Sequence, residues 1–328
     1  MRKRTRIRTG GALALAVFGG GIARASDGVV EINQTCATQT GCVPGDSPGF
    51  PVTLSTAGSY RLTSVLITPL VGGANTTLIE VTGANVDLDL NDFGLRGFVT
   101  CSGVPASCNV SGSGRGVDGS ASGTSIHDGF VTGMGSNGIF ASTDARIRNV
   151  TAVSNAGNGI FASAGSLLED VVASSNGGSG IALGGMAIVR NGVARANGAL
   201  GFSLLSNGQA SGLVAASNGS HGISAGTAAE VADCTATGNG GDGVHVGTNS
   251  TVRHCTARSN QKAGVFASGT ALGESLHSED NGRYSLEGPF FYRESLLGCS
   301  SGSFAATDAQ ASGIGGTASN VLLACTGT

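Results

Sequence analysis

Asn155-Ala156-Gly157-Asn158-Gly159-Ile160 and Asn176-Gly177-Gly178-Ser179-Gly180-Ile181 are one phrase written twice, 21 residues apart. The glycine recurs at Gly138, Gly159, Gly180, Gly201, Gly222, Gly243 and Gly264. The asparagine recurs at Asn155, Asn176, Asn197, Asn218, Asn239, Asn260 and Asn281. A fixed period of this length marks an array in which each unit buries its apolar face only against its neighbours. Counting from the glycine, the next residue is Ile139, Ile160, Ile181, Phe202, Ile223, Val244 or Val265, and the third is Ala141, Ala162, Leu183, Leu204, Ala225, Val246 or Ala267. Alternation of this kind is a strand with one face buried. Further apolar columns start at Ile147, Val150 and Ala152 and repeat with the same period. Each unit therefore holds three short strands separated by bends, and the units stack in parallel along one axis. The glycine suits a tight backbone corner. The asparagine falls at a bend, where its amide can serve backbone groups and the asparagine of the next unit.

Charged residues test the register independently, because side chains one unit apart are direct neighbours and opposite signs there are favourable. Arg148, Glu169 and Arg190 form one such column; Arg253 with Glu274, Arg258 with Glu279, and His221 with Asp242 form others. Upstream, Leu78-Ile79-Glu80-Val81 and Asn85 to Asn91 read as the first coil, and 100–114 as an inserted loop. An open stack must protect its terminal edges, so 26–77 and 298–328 are expected as caps on a repeat body of 78–297. Residues 1–25 combine five early basic residues, an apolar run and Ala23-Arg24-Ala25, the pattern of a secretory signal peptide. Its removal leaves 12 basic against 21 acidic residues, a net charge of −9, which argues against a nucleic-acid partner. No stretch reaches the ~20 apolar residues of a membrane helix. The mature chain is thus expected to be secreted, periplasmic or at the cell surface, with no membrane insertion.

Eight cysteines in an exported chain favour disulfides. The sequence-local pairs are Cys36 with Cys42, Cys101 with Cys108, Cys234 with Cys255, and Cys299 with Cys325, one choice among 105 connectivities. Cys234 and Cys255 differ by one period, which puts them about 4.8 Å apart in one column. They are either a bridge between coils or two reduced core thiols.

With these residues in place, the chain resembles the parallel β-helix repeats of the pectate-lyase-like superfamily over 78–297. The segments Asp27 to Gln34, Gly49-Phe50-Pro51-Val52 and Gly58 to Leu62 also resemble the opening of exported bacterial proteins of that group. The resemblance implies an all-β fold, a single right-handed parallel β-helix with about 21-residue coils and capped ends. It does not fix one chemistry, since relatives include lyases, hydrolases and epimerases as well as adhesins and structural proteins. Ser220-His221-Gly222-Ile223-Ser224 is similar to the Gly-His-Gly-Ile-Ser of polygalacturonases. That family's paired acids are replaced here by Ala199 and Leu200, with Ser179 one coil earlier, so hydrolysis by two carboxylates is not supported.

Three groups of residues remain as site candidates. The outward position two after the glycine holds Phe140, Phe161, His245 and Phe266, rings suited to stacking on sugars. Asp233 and His254 share a column, and His277 lies near the same end, which makes an acid–base patch conceivable. Asp87 and Asp89, with Asp118 expected nearby, are the calcium candidates; alternating Asp and Leu is equally what a half-buried strand presents to water. The reading is a noncatalytic recognition or surface protein for polysaccharide or a cell-surface glycan, with no required cofactor beyond possible calcium. The alternative is a carbohydrate-active lyase or epimerase.

Overall fold

The computed structural model describes residues 28–293, 296–298 and 322–324. The leader expected over 1–25 and the pair Cys299 and Cys325 lie outside the described residues. The 21-residue period becomes a coil of three strands, and the coils stack in two large parallel sheets, one of 11 strands and one of 22. The 11-stranded sheet is built from the strands that follow the repeat glycine: Ile139–Ala141, Ile160–Ala162, Ile181–Leu183, Phe202–Leu204, Ile223–Ala225, Val244–Val246 and Val265–Ala267 among them. Their register is one period per step, Ile139 against Ile160 against Ile181 against Phe202. The larger sheet joins the second and third strands of every coil, with Ile147 facing Leu168 and Ala152 facing Ala173. All the apolar columns point inward, and Ile139, Ile160, Ile181, Phe202, Ile223 and Val244 are fully buried.

The repeat glycine and asparagine are one device. Each buried asparagine donates through Nδ2 to Oδ1 of the next, from Asn155 onto Asn176 (3.0 Å) through to Asn260 onto Asn281 (3.0 Å), and its Oδ1 also accepts the backbone N–H of the preceding one. The expected amide ladder therefore exists. The glycine, however, is not the sharp corner. A Cβ on Gly180 would stand 2.7 Å from Asn197 Nδ2 and 2.8 Å from the Gly201 carbonyl oxygen, so the position is glycine because the ladder leaves no room. The corners with positive φ lie elsewhere, in columns such as Asn149, Asp170, Asn191, Gly212, Asp233 and His254. The non-glycine residues there are mainly Asn and Asp, which tolerate the left-handed region best after glycine, with Ser next in number.

The ladders extend N-terminally beyond residue 78. Val52–Leu54 pairs with Ile79–Val81, and Val30–Ile32 pairs in parallel with the strand Gly58–Leu62. A short π-type turn at Cys36–Thr40, tied by the Cys36–Cys42 disulfide, buries Ala37 against that end. Cys234 and Cys255 are also bridged, with Cα atoms 4.5 Å apart, as are Cys101 and Cys108. No free cysteine occurs among the described residues, and no helix among them is long and apolar enough to cross a membrane.

The exposed columns follow the expected register while the ion pairs choose among neighbours. Arg148 and Glu169 are register partners, yet Glu169 bonds Arg190 (3.2 Å) and Arg148 lies 4.0 Å from Asp128. Arg253 is in register with Glu274 but pairs with Glu230, two residues along the preceding strand. Arg258 and Glu279 pair directly at 2.8 Å.

Candidate functional site

One outward column runs the length of the 11-stranded sheet: Glu80, Asp118, Phe140, Phe161, Ala182, Ser203, Ser224, His245, Phe266, Glu287. The parallel register places each beside the next, and from Phe140 to Phe266 all are half-buried. Phe140 and Phe161 stack with ring centres 5.1 Å apart and planes 3° from parallel, and the Arg115 guanidinium, itself paired with Asp118 (2.8 Å), covers Phe140 at 4.1 Å. His245 stacks on Phe266 at 4.6 Å. The rings thus stack on one another along the axis rather than lying flat on the sheet. Both faces of Phe140 are used, and the free face of Phe161 looks across Ala182.

Between the two aromatic pairs lies a floor of three small residues, Ala182, Ser203 and Ser224. Four coil steps separate Phe161 from His245, about 19 Å at the ~4.8 Å spacing of strands. Met186 and Leu205, 64% and 60% exposed, border the floor on the bend that follows these strands. The other border is made by the loop 97–114. Its hairpin, Cys101–Ser102 against Ser107–Cys108, is closed by the Cys101–Cys108 disulfide. It lies over the asparagine turns, with Ala106 N–H donating to the Ala196 carbonyl (3.0 Å) and both sulfurs near the Asn155 carbonyl (3.7 and 3.6 Å). The loop sits close on Gly177 and Gly198: a Cβ there would meet Cys108 Sγ at 2.8 Å and the Ala106 carbonyl at 2.7 Å, and, nearer still, the Ala156 and Gly177 carbonyls of the preceding coils at 2.5 and 2.2 Å. Val104 at the loop tip is 70% exposed.

At the His245 end of the floor stands a polar cluster that the column-by-column reading of the sequence splits apart. Asp242 Oδ2 lies 3.1 Å from His221 Nδ1 and 3.0 Å from His245 Nδ1, and Asp242 Oδ1 accepts the Ala263 N–H at 3.0 Å. Burial by itself raises the Asp242 carboxyl, but the contacts to His221 and His245 and the Ala263 N–H outweigh it and hold the group far below the ordinary carboxylate range. His221 was legible as the partner of Asp242. His245 was legible only as a ring in the outward column. Its contact with Asp242 joins two columns three residues apart, and the signal was the outward placement of both at the start of one strand.

The other candidates fall on the larger sheet and its bends. Asp233 and His254 do meet, at 3.3 Å, but both side chains are more than half exposed. His277 joins Glu279 (3.3 Å) and Arg258 instead. Asp89 is held by Arg61 at 2.8 Å, and Asp87 by His127 Nε2 at 3.2 Å. The buried His127 also has Asp128 Oδ2 2.8 Å from Nδ1. Asp118 lies apart from this group, on the 11-stranded sheet.

Residues 137–276 match the family described as right handed beta helix region. Together with the coil geometry, this makes the chain a right-handed parallel β-helix protein. No curated protein matches it in sequence. Among solved structures, the A-module of the Azotobacter vinelandii mannuronan C-5 epimerase AlgE4 is similar at 15% identity and a TM-score of 0.49, over 82% of this chain and 80% of that one. The Dettilon tailspike protein is similar at 14% and 0.45 over 82% and 66%, and pectate lyase Pel9A at 13% and 0.43 over 81% and 78%. These likenesses concern the course of the backbone and assign no role to any residue of the site.

Proposed function

We propose that the chain is an exported recognition protein that holds an extended polysaccharide along the outward column of the 11-stranded sheet, without cleaving it. The observation that carries this reading is the interruption of the column: a floor of Ala182, Ser203 and Ser224 between the free face of Phe161 and the His245–Phe266 pair. A sugar ring can stack on the Phe161 face, while the small floor lets the following units approach the sheet. Met186, Leu205 and Val104 supply apolar borders, and Ser203 and Ser224 supply hydroxyls. The floor carries no basic side chain, so the units over it are neutral sugars. The acid–base pair Asp233 and His254 stands exposed on a bend of the other sheet, away from this floor, which favours holding over turnover.

The test is a glycan panel of neutral and acidic polysaccharides, read by binding and by appearance of new ends or unsaturated products. Binding is expected without products, and Phe161→Ala is expected to weaken it more than Phe140→Ala, whose faces are already occupied. Ser203→Trp, which fills the floor, is expected to abolish it. Undiminished binding by a folded Ser203→Trp protein refutes the placement, and product formation refutes the noncatalytic role.

A further inference from the structure

The cluster of His221, Asp242 and His245 differs in kind from the His127 cluster. Around His127 the carboxylates have cationic or amide partners of their own: Arg61 on Asp89, Asn149 on Asp128 (2.8 Å), and the imidazole between Asp87 and Asp128. Around Asp242, the ion-pair partners among the described residues are the two histidines. There the contacts of His221 conflict. Its Nδ1 lies 2.9 Å from the backbone N–H of Asp242, which asks it for a lone pair, and 3.1 Å from Asp242 Oδ2, which asks it for a proton. One nitrogen cannot meet both demands.

We infer that His221 Nδ1, Asp242 Oδ2 and His245 Nδ1 form a binding site for a divalent transition-metal ion of the zinc type. A cation seated against Oδ2 between the imidazoles takes the Nδ1 lone pair of His221 in place of the Asp242 N–H and joins it to Oδ2 through coordination bonds. The spacing fits. Ligand bonds of 2.0–2.1 Å in a tetrahedron put donors about 3.3 Å apart; here two donor pairs are at 3.1 and 3.0 Å, and all three atoms lie within 4.8 Å of one another. Two imidazoles and one carboxylate select zinc, copper or nickel over calcium and magnesium, which prefer all-oxygen shells. The supporting contacts are also present. Asp242 Oδ1 is fixed by the Ala263 N–H, and the His245 ring is stacked on Phe266. His221 and His245 are 22% and 28% exposed at the side chain, so the ion has a path in and a fourth position for water or a ligand oxygen. The three donors belong to two successive coils, so the ion ties them together.

Titration of the tag-free full chain with Zn²⁺ by calorimetry, with its thiols shown to be oxidised, tests this without reference to any glycan. One saturable equivalent is expected, and Co²⁺ in its place should give the intense visible absorption of a four-coordinate ion. Asp242→Asn and His221→Ala should each weaken binding by ~100-fold or more. Because Asp242 is buried, His245→Phe is the safer variant: it keeps an aromatic ring on Phe266 and should lose affinity to the same degree while the circular dichroism stays native. The double variant His254→Ala/His277→Ala should bind as the parent does. Absence of a saturable equivalent in the folded parent, or parental affinity in His245→Phe, overturns the site.

Discussion

Replacing Asn197 by alanine removes one rung from the middle of the buried amide ladder, and the structure says what that rung holds. Asn197 Nδ2 donates to the Ala173 carbonyl (3.1 Å) and to Asn218 Oδ1 (2.9 Å); Asn197 Oδ1 accepts from Asn176 Nδ2 (2.9 Å) and from the Asn176 backbone N–H (3.0 Å). Asn218 Oδ1 keeps the Asn197 backbone N–H, and Asn176 Nδ2 keeps the Ala152 carbonyl. The Asn176 N–H keeps nothing. One orphaned buried donor costs about 1–3 kcal/mol, and each of the three further hydrogen bonds lost costs about 1 kcal/mol, so the substitution should destabilise the protein by about 4–6 kcal/mol. Urea unfolding followed by far-ultraviolet circular dichroism gives the difference in free energy. Arg190→Ala, which removes the exposed pair with Glu169, is the control and should cost no more than about 1 kcal/mol. Asn197→Leu separates hydrogen bonding from volume, because leucine fills the space and leaves the same donor orphaned. A near-neutral Asn197→Leu would refute the claim that the ladder, and not packing, holds the turn.

Two further consequences follow from neighbouring features. Gly180→Ala should cost about 1–3 kcal/mol by overpacking against Asn197 Nδ2 and the Gly201 carbonyl, whereas Gly185→Ala, whose added methyl meets only the Ser206 carbonyl at 3.2 Å, should stay within about 0.5 kcal/mol in the same unfolding assay. Asp128 is held below the ordinary carboxylate range by hydrogen bonds from Asn149 and His127. Its folded pKa is thus lower than its unfolded value, and the stability it contributes is present above that unfolded value, near 4, and lost as pH falls through the folded one. Asn149→Ala should accordingly cost more at pH ~6 than at pH ~3, since it removes the first of those partners; an unchanged difference across that window in the melting temperatures would count against the assignment.

What the sequence disclosed and what it withheld divide along one physical line. Contacts within a column repeat with the coil, so periodicity alone places Cys234 beside Cys255 and strings the asparagines together; both are present. Contacts between columns have no period to announce them. The bond from Asp242 to His245 crosses three residues of one coil, Arg253 reaches Glu230 instead of Glu274, and the 97–114 loop crosses several coils at once. The residue after the ladder asparagine is Ala156 in one coil but Gly177, Gly198, Gly219 and Gly240 in the next four; a Cβ there meets a carbonyl oxygen of the preceding coil first, at 2.2 Å for Gly198 and 2.5 Å for Gly240, so these glycines report the stacking of the coils and not the loop above them. The loop is tested from its own side: Ala106→Pro removes the N–H it donates to the Ala196 carbonyl and leaves every coil residue in place, so it should displace the loop tip from the border of the floor while the solenoid beneath remains intact. The variant can be checked by the proteolytic susceptibility of the 97–114 segment against unchanged circular dichroism. Persistent protection of that segment would mean that the loop is held by something other than its seat on the turns, and the border of the proposed sugar-binding floor would have to be redrawn.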